Sequence, residues 1–136
     1  MLRRTDSNNP ADWLWIADSD LEALRIVCER KAGYLLCRSK LAEVVQKILK
    51  AELIRLGWFL ERTHDLQRLR DALVARGSDL AVRVKPLCDS LADFYFTDRY
   101  PGFDMEEPDW PTLRGQLDEA SRLLEIVKRR VAARAG

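Results

Sequence analysis

Apolar residues recur at three- and four-residue steps along most of the chain, and this spacing predicts amphipathic helices. The segment Asn9-Pro10-Ala11-Asp12 precedes the first of these stretches and combines a capping residue with a proline that suits a first helical turn. We therefore expect a first helix from about Pro10 to about Lys31. Its apolar positions are Trp13, Ile16, Ala17, Leu21, Leu24, Val27 and Cys28.

The same spacing resumes after Gly33 and predicts a second, longer helix that ends near Gly57, because glycine readily adopts the left-handed conformation that closes many helices. A loop is expected at residues 58–62. A short third helix should follow, with Thr63 as its cap and its end near Gly77.

A fourth helix is expected from a cap at Ser78 to Tyr100-Pro101-Gly102, which ends it, with a kink or break near Lys85 because Pro86 lies well inside it. The segment 102–111 is rich in proline and acidic residues, which predicts a loop. A final helix should begin at Thr112.

These elements predict an all-α fold, an up-and-down helical bundle of four main helices plus one short helix. The 136 residues suit one domain, which we place at residues 10–136 after a flexible tail at 1–9. No stretch has the alternating pattern of a strand.

Composition narrows the function classes. Apolar residues make up 47% and charged residues 33% of the chain, a composition that is typical of a globular protein. The net charge is only +1, which argues against RNA as a partner bound through many phosphate contacts. No apolar run approaches the roughly 20 residues that span a bilayer, and no signal peptide is recognisable, so we expect a cytoplasmic protein without a membrane partner. Three scattered cysteines and one histidine lack the spacing of a zinc site. We expect reduced core thiols, no metal and no cofactor.

His64 is the first candidate for chemistry, because it titrates near neutral pH and stands at a helix start, where exposed N–H groups favour anions. The alternative is that Thr63 and Asp65 cap the helix while His64 bonds a neighbouring backbone group. Lys47 and Lys50 are spaced to line the same groove, although solvated lysines are the commoner explanation of this pattern.

The second candidate segment is Thr97-Asp98-Arg99-Tyr100-Pro101. Arg99 would clamp a phosphate or carboxylate with its planar fork, and Tyr100 would stack on a base. The alternative is an Arg–Asp pair that holds the turn. If helix three begins near the end of helix four, His64 and Arg99 would face the same anionic group.

Five short segments, in the same order along nearly the whole chain, resemble the HEPN family of small helical proteins. They are Trp13 with Ala17 and Asp20-Leu21, Lys47-Ile48-Leu49-Lys50-Ala51, Gly57, Thr63-His64-Asp65-Leu66, and Arg99-Tyr100-Pro101. One departure is Gln46, which stands where the family pattern has an acidic residue. Any role that requires a carboxylate at this position is therefore in doubt.

The resemblance implies a helical bundle, usually a homodimer, with one of two activities. Some HEPN proteins are metal-independent endoribonucleases of toxin–antitoxin systems that use an arginine a few residues before a histidine. The positions five to seven before His64 are Phe59, Trp58 and Gly57, so we expect no catalytic residue.

Other HEPN proteins accompany minimal nucleotidyltransferases, as nucleotide-binding or partner subunits, and we expect this role here. The candidate ligand-binding residues are then His64, Asp65, Arg99, Tyr100, Lys47 and Lys50. A structural dimer is the remaining alternative, with a partner chain contacting exposed aromatic residues among Trp58, Phe59, Phe96 and Trp110.

Overall fold

The computed structural model describes residues 7–92 and 107–135, and all regular structure in these ranges is helical. This confirms the all-α prediction. The five helices, in chain order, are α1 (Pro10–Glu29), α2 (Tyr34–Arg55), α3 (Leu66–Ala75), α4 (Leu80–Leu91) and α5 (Trp110–Ala135).

Helix α2 lies at the centre of the bundle. It contacts α1, α3, α4 and α5, and 15 of its 22 residues are buried. Burying one leucine, isoleucine or valine side chain stabilises the fold by about 1.5–3 kcal/mol relative to leaving it in water. The largest fully buried side chains are Leu41, Ile48, Leu49, Leu53, Leu66, Leu69, Leu73, Leu91, Leu113, Leu117, Leu123 and Leu124.

Most helix ends follow the expected chemistry. The Asn9 side chain accepts a hydrogen bond from the backbone N–H of Ala11 and caps α1. The turns that follow α2 and α3 contain Gly57 at a φ of 88° and Gly77 at a φ of 70°, a left-handed conformation that glycine adopts without strain. The loop predicted at residues 58–62 is confirmed.

The cap of α3 differs from the prediction. Asp65, and not Thr63, is the N-cap, and its Oδ1 accepts from the backbone N–H of Gln67 at 3.0 Å and of Arg68 at 3.3 Å. The hydroxyl oxygen of Thr63 instead accepts a hydrogen bond from the backbone N–H of Asp65, the residue that caps the helix. The helix therefore begins at Leu66, beyond the reach of Thr63.

A kink or a break was predicted near Lys85, and the structure shows no break, because α4 continues through Pro86. The proline removes the N–H that would bond the carbonyl of Val82, but the side chains of both residues are exposed, so this lost bond falls on the solvent side of the helix, where water replaces it. The predicted end of the helix at Tyr100-Pro101-Gly102 lies outside the described residues.

Helix α5 begins at Trp110, two residues before the predicted start at Thr112. Pro111 therefore lies in the first helical turn, where its missing N–H would have no partner in the helix. Asp109 accepts from the backbone N–H of Thr112 at 3.1 Å and from its hydroxyl at 2.8 Å. Two residues assigned to the loop thus belong to the helix.

A buried carboxylate connects three parts of the bundle. Glu52 of α2 has no exposed surface and lies 2.7 Å from both Arg55 Nε and Arg130 Nη1 of α5. The hydroxyl of Ser78, in the turn between α3 and α4, donates to Glu52 at 3.0 Å. Burial alone would raise the pKa of Glu52, but these hydrogen bonds and positive charges outweigh it and hold the pKa below its usual value.

All three cysteines are free and buried, as predicted. Burial raises the pKa of Cys28 and of Cys37, and it raises the pKa of Cys88 to about 12. The reactive thiolate is therefore scarce at neutral pH.

We expect Glu52→Gln to lower the free energy of unfolding by about 3 kcal/mol, because the amide keeps the shape but leaves a nearby arginine without its anion. Urea denaturation at pH 7 measures the change. Glu125→Gln is the matched control, because Glu125 is an exposed glutamate of α5 that pairs with Lys128, and it should change stability by less than about 1 kcal/mol. Equal stability of the two variants would show that the network is not stabilising.

The difference between wild type and Glu52→Gln should also depend on pH. Because the pKa of Glu52 is lowered on folding, its contribution to stability is fully present above the ordinary value of 4.5 and is lost as the pH falls through the folded-state pKa. Urea denaturation from pH 7 to pH 3 should therefore show the two stabilities converging in acid. A constant difference across this range would contradict the assigned direction of the pKa shift.

We expect all three thiols to react with a disulfide reagent far more slowly in the native protein than in urea, because they are buried and protonated. Absorbance of the released thiolate measures the rate. A full equivalent released rapidly without denaturant would contradict the burial of at least one cysteine.

Candidate functional site

An open cleft of about 410 Å³ lies where α1, α2 and the segment before α3 meet. It is lined by Trp13, Glu43, Gln46, Lys47, Lys50, Arg62 and His64. The four α2 residues share one face because they are spaced by three and four positions. The structure thus brings together three residues singled out in the sequence, namely Lys47, Lys50 and His64.

A smaller cavity of about 70 Å³ adjoins this cleft. Glu43, Gln46 and His64 line both of them. The remaining walls of the small cavity are contributed by Ser39, Ala42, Leu66, Leu91 and Ala92. His64 therefore stands at the junction of a polar, open cleft and a more enclosed cavity with several apolar walls.

Lys50 is the most unusual residue of the cleft. It is only 6% exposed, and its Nζ lies 5.2 Å from the centre of the Trp13 ring, in a cation–π contact. Within residues 7–92 and 107–135 it forms no ion pair with a carboxylate. Burial, followed by the nearby charge of Lys47, lowers the pKa of Lys50. The solvated-lysine interpretation is therefore wrong for Lys50.

Trp13 is itself held in position. Its indole N–H donates to the backbone carbonyl of Ser7 at 2.8 Å, and the ring packs partly buried against the core. The ring that contacts Lys50 is therefore held both by the hydrogen bond of its indole N–H and by its packing against the core.

Lys47 differs from Lys50 because it has an acidic partner. Its Nζ donates to Asp20 Oδ2 of α1 at 3.1 Å. The same carboxylate lies 3.6 Å from Lys40, which also pairs with Glu43 at 3.0 Å. The hydrogen bond from Lys40 to Glu43 is the main cause that raises the pKa of Lys40. Two carboxylates are therefore shared among the cations on this side of the cleft.

Gln46 holds His64 at the cleft. The Gln46 side chain is only 8% exposed, and its Nε2 donates to the backbone carbonyl of His64 at 2.9 Å. Its Oε1 lies 3.2 Å from Nδ1 of the His64 ring. His64 is exposed, so the imidazole is reachable from solvent while its backbone and one ring nitrogen are fixed.

The remaining candidate residues lie elsewhere. Asp65 caps α3 and does not line the cleft, so its carboxylate serves the helix. Arg99 and Tyr100 lie outside the described residues, and the pairing of Arg99 with His64 stays a prediction. Sequence reasoning missed Trp13 as a wall of the cleft and also missed Arg62.

The aromatic residues considered for a partner surface fall into two groups. Trp58 and Trp110 pack partly buried against the core, and Trp110 meets Tyr34 edge to face with ring centres 5.3 Å apart. Phe59 is 90% exposed. Phe96 lies outside the described residues.

The donor set of the cleft favours binding of an anion. Over the described part of the chain, no three histidine, cysteine or acidic side chains are grouped closely enough to hold a metal ion. The same part of the chain contains no helix with the length and apolar character needed to cross a membrane. Positive groups from α2 and from the segment before α3 instead converge on one open volume.

The comparisons with known proteins bear on the whole bundle. The family model described as HEPN domain matches residues 10–133, from the first residue of α1 almost to the end of α5. No curated protein and no solved structure matches the chain. The match covers well over half of the sequence, and the chain therefore belongs to the HEPN domain family.

Proposed function

We propose that this HEPN domain binds a nucleotide without transforming it, and that the phosphate group occupies the cleft formed by α1, α2 and the segment before α3. The observation that carries the proposal is Lys50, a lysine that is only 6% exposed, lines the cleft and has no carboxylate partner in the described part of the chain.

The Lys50 ammonium faces the open cleft but is partly removed from water, and partial desolvation of a charge is unfavourable unless an anion compensates it. A methionine would fill almost the same space in the core without this cost. The Trp13 ring stabilises the charge only in part, since cation–π contacts contribute about 0.5–2 kcal/mol. A bound phosphate supplies the missing negative charge, which gives a reason for a lysine at this position.

The other groups of the cleft suit a phosphorylated ligand. Lys47 brings a second ammonium, and Arg62 brings a guanidinium whose planar fork matches phosphate oxygens. The volume of about 410 Å³ is within the range of about 300–1,000 Å³ that small-molecule sites occupy. Arg99 and Tyr100, which lie outside the described residues, stay predictions for a second clamp and a stacking surface.

We further propose that the partner protein is a minimal nucleotidyltransferase and that the HEPN chain is the non-catalytic subunit of a toxin–antitoxin-like pair. In this proposal the HEPN chain forms a homodimer. This part rests on the family resemblance. Exposed apolar side chains such as Trp15 and Phe59, which are 76% and 90% exposed, offer surface to a protein partner.

The endoribonuclease function is less well supported. The three positions where the nuclease pattern has its arginine are Gly57, Trp58 and Phe59, and none of these carries a cation to stabilise charge on a phosphate.

We expect Lys50→Met to weaken nucleotide binding at least tenfold, which is about 1.4 kcal/mol, while the protein stays folded and as stable as the wild type. A thermal-shift titration with ATP, GTP, UTP and CTP, with and without Mg²⁺, measures both quantities. At ten times the dissociation constant a ligand adds about 1.4 kcal/mol, or about 3–5 °C for a chain of this size.

Lys85→Met is the matched control, because Lys85 is an exposed lysine of α4 that pairs with Asp89 away from the cleft, and it should leave the shift unchanged. Absence of a shift with all four nucleotides would overturn the proposal. RNA cleavage by the wild type that is lost in His64→Ala would replace it with the nuclease function.

A further inference from the structure

We infer that Lys50 is a modification site, an amine that an acyl phosphate acylates in preference to the other lysines of the chain. The reaction requires the side chains that line the cleft and a small activated acyl compound. It goes beyond the proposed function, because the amine of Lys50 is itself the reacting group and no nucleotide takes part.

The reactivity of a lysine depends on its proton. Only the neutral amine has the electron pair that attacks a carbonyl carbon, and at pH 7 an ordinary lysine is neutral in roughly one molecule in 2,500. A neighbouring carboxylate favours the charged ammonium, whereas removal from water and a neighbouring cation favour the neutral amine. The surroundings of each lysine therefore determine how readily it reacts.

Most lysines of the chain are paired with carboxylates. Four of the six have a carboxylate oxygen 2.6–3.1 Å from Nζ, and these pairs are Lys40 with Glu43, Lys47 with Asp20, Lys85 with Asp89, and Lys128 with Asp18. Within residues 7–92 and 107–135, which include all six lysines, Lys31 and Lys50 form no ion pair. The comparison of interest is therefore between these two.

Lys31 and Lys50 differ in their contact with water and with other charges. Lys31 is exposed in the turn after α1, whereas Lys50 is 6% exposed and lines the open cleft. Burial, together with the charge of Lys47 three positions earlier on the same helix face, lowers the pKa of Lys50. Glu43 also lines the cleft, but its carboxylate pairs with Lys40 at 3.0 Å. Lys50 thus combines desolvation with a neighbouring cation, the two conditions that make a lysine nucleophilic.

The cleft also favours one class of acylating compound. Lys47 and Arg62 line the same volume of about 410 Å³ as Lys50, and their positive groups attract a dianionic leaving group such as phosphate. The Trp13 ring, centred 5.2 Å from Lys50 Nζ, offers apolar surface to a short acyl chain. An acyl phosphate carries both groups on either side of the carbonyl carbon that the amine attacks.

The reaction is an acyl transfer. Nζ of the neutral amine attacks the carbonyl carbon and a C–N bond forms, while the C–O bond to the phosphate breaks and its electron pair leaves on the phosphate oxygen. The proton that the nitrogen loses passes to the released phosphate or to water. The products are an amide on Lys50 and inorganic phosphate, and no atom is oxidised or reduced.

The preference is measured on the full chain. The protein is treated with acetyl phosphate at pH 7, and peptide mass spectrometry follows acetylation of each lysine over time. We expect Lys50 to be acetylated about tenfold faster than Lys31, the matched lysine without a carboxylate partner. A rate at Lys50 no higher than at Lys31 would overturn the inference.

The class of acylating compound is tested separately. The N-hydroxysuccinimide ester of acetic acid acetylates amines without releasing phosphate, so the preference for Lys50 over Lys31 should be smaller than with acetyl phosphate. Excess inorganic phosphate should slow the reaction of acetyl phosphate at Lys50 and leave the rate at Lys31 unchanged. An equal preference with both reagents, or no competition by phosphate, would show that the cleft does not recognise acyl phosphates.

The role of the neighbouring cation has its own pair of variants. Lys47→Met should slow acetylation of Lys50 about tenfold, because it removes both the like charge and a group that attracts the phosphate. Lys47→Arg keeps the charge and should react at close to the wild-type rate. An unchanged rate at Lys50 in Lys47→Met contradicts the role of Lys47. If Lys47→Met does not fold, the wild-type rates at Lys50 and Lys31 remain the test.

Acetylation removes the positive charge of Lys50, and the acetylated protein should therefore bind ATP about tenfold more weakly. Only this consequence rests on the proposed function, and the two proposals fail in different ways. If no nucleotide binds to the wild type, the proposed function fails, and the rates at Lys50 and Lys31 still test the acylation. If Lys50 shows no preference, the inference fails, and the thermal shifts with nucleotides still test the proposed function.

Discussion

Helix α2 is surrounded by the other four helices, so each polar side chain on its buried faces needs a partner that compensates for the loss of water. Gln46, Lys50 and Glu52 are three such side chains within two helical turns. The three side chains have different partners. Gln46 donates a hydrogen bond to the segment before α3, and the Lys50 ammonium contacts the ring of Trp13. Glu52 accepts hydrogen bonds from two arginines and a serine.

Glu52 and Lys50 differ in whether the protein itself supplies the opposite charge. Glu52 is surrounded by positive charge and hydrogen-bond donors, so its charge is satisfied within the fold and ties α2 to α5. Lys50 meets an aromatic ring and an open cleft instead. The two charged residues thus differ, because the charge of Glu52 is compensated within the protein, whereas we propose that a ligand compensates the charge of Lys50.

The sequence was sufficient for the helices and for most of their ends. The three- and four-residue spacing of apolar positions identified α2, and Gly57 marked its end because the backbone there needs a positive φ. Pro86 does not break α4, and the sequence alone could not show that Pro86 lies on the side of α4 that faces water. Thr63 was assigned as a cap because it and Asp65 have the same capping chemistry two residues apart.

The site was predictable only in part. Spacing placed Lys47 and Lys50 on one face of a helix, but the burial of Lys50 depends on Trp13, which arrives from another helix. The hydrogen bond from Gln46 to the backbone carbonyl of His64 joins residues 18 positions apart, and no local sequence pattern predicts it. The departure from the family pattern at Gln46 was visible in the sequence, whereas its partner became known only from the fold.

We propose that this HEPN domain binds its ligand in the cleft around Lys50. The most direct test is a nuclear magnetic resonance titration of the ¹⁵N-labelled protein with a nucleotide, following every backbone amide. The account predicts the largest shifts at Trp13, at residues 43–50 and at residues 62–64. Shifts confined to the exposed face of α4 and α5, with residues 43–50 unchanged, would contradict it.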